Sequence, residues 1–135
     1  MKKILVTALA GLMLSACNDN KAREKTLLDE VIKTHDKLMA DDGTVMKNKM
    51  QLKNIAKSDA SANVKDSVAI YTKQLGDADD AMMGWMNKFN PVFTGKSHDE
   101  IMAYLNSQKV QILKLDSQIN SAVNASNHYI KTKTK

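Results

Sequence analysis

Four side chains of this sequence, His35, Met39, Met82 and Met86, are of the kinds that hold a soft metal ion. Thioether sulfur and imidazole nitrogen suit Cu(I) where no thiolate competes. His35 would supply the nitrogen and the three methionines the sulfur, with Trp85 offering an aromatic face beside them. The same residue types have a structural use: methionine at helical spacing fills cores and packs well on aromatic rings, and His35 can bond its neighbour Asp36. A Met and His pair for haem is less apt, because His128 falls far from most of the methionines. Asp79 and Asp80 are adjacent, so on a helix they point about 100° apart and make no facing acid-base pair. No nucleophile, base and orienting group assemble, and the expectation is a protein that is not an enzyme. The sole cysteine, Cys17, leaves the rest of the chain without disulfides, zinc-thiolate sites or a thiol nucleophile.

Cys17 stands in a particular context. Met1-Lys2-Lys3 is a short cationic start, and the apolar run Ile4 to Leu14 is too short for a membrane-spanning helix. The small residues before Cys17 complete a secretory signal. Leu14-Ser15-Ala16-Cys17 further resembles the lipobox of bacterial lipoprotein precursors, which implies cleavage before Cys17 and acylation of it. The alternative is an ordinary secreted protein cut near Ala16. The chain is expected to divide into a signal peptide over 1–16, a lipidated cysteine and flexible leash over 17–25, a helical bundle over 26–130 and a basic tail over 131–135. Two or more acyl chains hold a protein stably on a bilayer. Loss of Lys2 and Lys3 lowers the formal charge from +5 to +3, and the remaining basic residues are interspersed with acidic ones, which disfavours a nucleic-acid partner.

The elements that must position these residues are helical. Leu28, Val31, His35, Leu38, Asp42, Val45, Lys49, Leu52 and Ala56 advance by alternate steps of three and four, a heptad seam that Ile32, Met39 and Met46 widen. One helix from about Lys25 to Lys57 is predicted, with a break near Gly43 as the alternative. Ser58 to Asn63 is the first turn. A second helix follows from about Ala62 to Phe89 on the seam Val64, Val68, Tyr71, Leu75, Ala78, Met82, Trp85 and Phe89. Asn90-Pro91 ends it. Ser97-His98-Asp99-Glu100 is a capping box that opens a third helix carrying Ile101, Gln108, Ile112, Leu115, Ile119, Ala122, Ser126 and Tyr129. The fold class expected is all-α, an antiparallel up-down-up three-helix bundle with coiled-coil-like packing. That topology places His35, Met39, Met82, Trp85, Met86, His98 and Met102 in one slab, at the end where the leash enters. Val110 and Leu113 leave the oligomeric state open.

His35-Asp36-Lys37-Leu38-Met39, Asp79-Asp80-Ala81-Met82-Met83-Gly84-Trp85-Met86 with Phe89, and Tyr104-Leu105 together resemble small lipoproteins of Bacteroidota often labelled viral A-type inclusion proteins. The likeness runs from about Leu27 to Ala125. Those proteins often carry an acidic residue where Lys37 stands and a proline near Ala40. The resemblance implies fold, lipidation and a bacterial cell envelope, and it implies no activity. The expected function is thus a non-catalytic binding or scaffold role for an envelope lipoprotein, attached to the bilayer through Cys17 and meeting an envelope protein partner. The alternative is envelope Cu(I) binding or metallochaperone work by the His and Met cluster.

Overall fold

A computed structural model describes the backbone from Leu5 to Thr134 and the side chains from Asp19 to Thr134. The expected lipidation of Cys17 lies outside the described side chains, as do those of the expected signal peptide. Among the described residues the regular elements are three helices: α1 (Leu5–Ser58), α2 (Ala62–Met86) and α3 (His98–Lys133). No helix among the described residues is long and apolar enough to cross a membrane.

The helices form where apolar residues recur once per seven and no proline interrupts. In α1 the column Val31, Leu38, Val45 and Leu52 is buried almost completely. Each such side chain contributes about 1.5 to 3 kcal/mol when withdrawn from water. The helix passes through Gly43 without a break, and it includes Asn18 to Lys25, the stretch expected as a leash. Glu24 in that stretch already bonds α3, its Oε1 lying 2.7 Å from His98 Nδ1.

Two rows flank the central column of α1, one residue apart and hence about 100° apart around the axis. The row Thr34, Asp41, Asn48 and Ile55 lies on the α3 side, where Asn48 Nδ2 donates to Ser126 Oγ (2.9 Å) and Asn127 Oδ1 (3.0 Å). The row His35, Asp42, Lys49 and Ala56 lies on the α2 side, where Lys49 Nζ donates to Asp79 Oδ2 at 3.1 Å. The expected seam combined the central column with the second row alone. Its widening by Ile32, Met39 and Met46 does not occur: all three are exposed, because the stripe broadens the other way, toward α3.

Chain breaks follow local chemistry. Past the end of α1, Asp59 Oδ1 accepts from the Ser61 amide at 3.1 Å, closing a side-chain turn. The Ser61 hydroxyl first, and then that amide, hold the Asp59 carboxyl below its ordinary pKa. Helix α2 stops at Met86, three residues short of the expected Phe89. The loop is then pinned, for Tyr104 OH accepts from the Asn90 amide at 2.8 Å. Gly95 turns the chain at φ 79°, a left-handed conformation that costs glycine little. At Ser97 the capping box is present in full: the hydroxyl accepts from the Glu100 amide, and the Glu100 carboxylate accepts from the Ser97 amide at 2.8 Å.

The main core runs through all three helices, from Ile55 and Val64 at one end to Trp85 at the other. A smaller cluster of Leu27, Ile101 and Leu105, with Phe93, Met102 and Tyr104 against it, closes the end near the α2–α3 loop. Pairs between α1 and α3 keep one sequence offset: Glu30 with Lys109, Lys37 with Asp116 and Asn48 with Asn127 are each 79 residues apart.

Candidate functional site

The residues singled out for chemistry divide between two neighbouring cavities. His35 and Met86 line one of about 160 Å³ together with Ile32, Trp85 and Phe89. Its wall is aromatic: the His35 ring lies 6.0 Å from that of Trp85, and Trp85 stacks on Phe89 at 4.9 Å. The stack continues to Tyr104, whose centroid is 6.3 Å from Phe89. The position of Trp85 is fixed by a buried bond, Nε1–H donating to Gln108 Oε1 at 2.9 Å. His35 Nδ1 stands 3.1 Å from Asp36 Oδ1, which engages one ring nitrogen.

Met39 and Met82 line the second cavity, about 90 Å³, with Asp42 and Asp79 at its edge. Met82 is buried there, whereas Met39 is exposed. The four expected donors thus stand two and two. His98 and Met102 lie elsewhere in the slab, His98 bonded to Glu24 and Met102 against the Leu27 cluster. Among the described residues no three His, Cys, Asp or Glu side chains gather as a metal-binding group; methionine donors fall outside that set.

Lys37 has a defined task. Its ammonium donates to Asp116 Oδ1 at 2.6 Å and to Asp41 Oδ2 at 3.1 Å, bridging α1 to α3. The Asp116 bond, then the Asp41 bond, raise the Lys37 pKa above its ordinary value. An acid at this place would instead face Asp116 with like charge.

A larger opening than either of these was not singled out in the sequence. It is a groove of about 760 Å³ between the C-terminal half of α1 and the N-terminal half of α2. Met46, Met50, Ala56, Val68 and Ala69 give it an apolar surface, and Lys49, Lys53, Lys57 and Lys65 stand along it. Met46 and Met50 are 55% and 61% exposed, which marks them as surface rather than core. The signal in the sequence was lysine at positions 49, 53 and 57, one per helical turn, interleaved with methionine at 46 and 50. Methionine at helical spacing reads equally as core, and that hid the groove. Comparison of the chain with protein-family models, curated proteins and solved structures found no match.

Proposed function

We propose that this chain is a bacterial envelope lipoprotein of the kind resembled by its Asp79 to Met86 stretch, held to a membrane through acylated Cys17. Its helices would act as an antiparallel up-down-up bundle with coiled-coil packing, in a non-catalytic binding role toward another envelope component. The constant offset between α1 and α3 supports the bundle topology. The observation that carries the binding role is the open groove between α1 and α2, with its apolar surface and lysine margin. Two ion pairs at the helix margins, Lys49 to Asp79 and Lys37 to Asp116, tie α1 to α2 and to α3, which fits a scaffold.

Two experiments test this. Metabolic labelling with a palmitate analogue should mark the full chain and fail on Cys17→Ser; labelling of both sinks the anchor. Reversible crosslinking in intact cells, followed by solubilisation, should recover the protein with a stoichiometric envelope partner in repeated preparations. Recovery of the protein alone would overturn the binding role.

A second reading, Cu(I) capture, has its support in the shared cavity of His35 and Met86. Anaerobic competition with a chromophoric chelator should show one-to-one binding lost in His35→Ala and Met86→Leu and kept in Met50→Leu. Equal effects of all three substitutions would remove it.

A further inference from the structure

Taking the binding role as given, we propose that the α1–α2 groove seats an acidic amphipathic helix of a partner protein, laid along α1 as a fourth helix of the bundle. The groove has the dimensions for it. Met46 to Lys57 spans about three turns, or about 16 Å, and a groove between two packed helices is where a further helix docks in bundles. Ala56 and Ala69 keep its floor low enough for a neighbouring backbone. Met46 and Met50 supply a flexible, polarisable surface that adapts to partner side chains.

Charge identifies the occupant. Lys49 is held by Asp79, but Lys53, Lys57 and Lys65 form no ion pair among the described residues. Lysines 49, 53 and 57 recur every fourth residue, so positive charge is spread along the whole groove and Lys65 faces it from α2. A helix with carboxylates at the same pitch on its flanks matches that row, as flanking charges do in coiled coils. A second copy of the chain docking groove to groove would bring lysine against lysine. An anionic lipid would place its charge at one end only. Moreover, α1 puts Met46 about 40 Å along the axis from Asp19, far from a bilayer that holds Cys17.

The test uses the full-length lipoprotein in phosphatidylcholine nanodiscs and a fluorescent helical peptide of about six turns with a leucine seam and glutamate flanks. Saturable one-to-one binding is expected, weakened at least about tenfold by Lys53→Glu with Lys57→Glu. The same double reversal placed away from the groove, Lys88→Glu with Lys114→Glu, should change binding by no more than about twofold. A peptide with the same seam and lysine flanks should bind the groove variant and not the parent, a rescue that a misfolded variant could not give. Absence of glutamate-peptide binding, equal losses in the two double variants, or a groove-dependent affinity for laurate that the peptide does not compete would each overturn the assignment. Crosslinking in cells separates this from the broader role: a partner recovered equally with parent and groove variant keeps the binding role and removes the groove from it.

Discussion

The indole N–H of Trp85 donates to Gln108 Oε1 at 2.9 Å inside the protein, joining α2 to α3 beneath the His35 cavity. Both residues are nearly sealed, Trp85 at 7% and Gln108 at 9% exposure. A buried donor whose acceptor is removed keeps its full desolvation penalty with no bond to offset it. Gln108→Leu keeps the volume and orphans the indole, so it should lower stability by about 1 to 3 kcal/mol. Adding Trp85→Phe, which removes the donor, should cost less than the two single changes summed. Urea unfolding followed by circular dichroism measures the cycle; strict additivity would mean that the bond contributes nothing.

Tyr129 presents the opposite case. Its ring lies 4.9 Å from that of Tyr71, while its hydroxyl is buried without a hydrogen-bond partner among the described residues. Tyr129→Phe keeps the ring contact and removes the unpaired group. Stability should stay the same or rise by about 1 kcal/mol. A fall of that size in thermal or urea unfolding would show that the hydroxyl is satisfied in solution.

Acid should loosen the start of α3. The Glu100 carboxyl is held below its ordinary pKa, first by the Ser97 amide and then by the Ser97 hydroxyl. A carboxyl depressed in the folded state binds fewer protons folded than unfolded. Its contribution is present above the unfolded value of about 4.3 and is lost as pH falls through the folded value. Glu100→Gln should therefore flatten the acid limb of the stability-pH profile without moving the neutral plateau by as much as Ser97→Ala, which removes the cap acceptor. An unchanged acid limb in Glu100→Gln would assign the acid sensitivity to other carboxylates.

What could be read in the sequence was whatever has a period. Val31, Leu38, Val45 and Leu52 repeat every seventh residue, and so did the seams through Trp85 and Gln108; all of these are inward. The capping box at Ser97 was legible because its chemistry is local. The flanks of α1 were not, since Thr34, Asp41 and Asn48 are as polar as His35, Asp42 and Lys49, and only the direction of α3 separates the rows. The candidate donors divided by level instead: His35 and Met39, like Met82 and Met86, stand one helical turn apart on one face, so one cavity takes His35 with Met86 and the next takes Met39 with Met82. Met46 read as core for want of a periodicity that distinguishes a buried stripe from a groove.

Asn48 is the residue on which the register of α1 against α3 turns. Buried at 1% exposure, it donates to Ser126 Oγ and Asn127 Oδ1 across the interface. A slip of one heptad would set it near Ile119 and Asn120, with the buried Ile119 unable to accept. Its apolar neighbours Val45 and Leu52 repeat every seventh residue and would tolerate that slip, so the hydrophobic pattern alone does not choose between the two alignments. A single buried asparagine in a heptad seam is known to specify register at some cost in stability. Ser126 retains a partner without it, since its hydroxyl also donates to the Val123 carbonyl at 3.0 Å. Asn48→Leu should accordingly keep or raise the unfolding midpoint while the amide spectrum of α1 and α3 splits into more than one set of signals. One set of signals together with a loss of about 2 kcal/mol would make Asn48 a simple stabilising contact, and register would then rest on ion pairs such as Lys37 with Asp116.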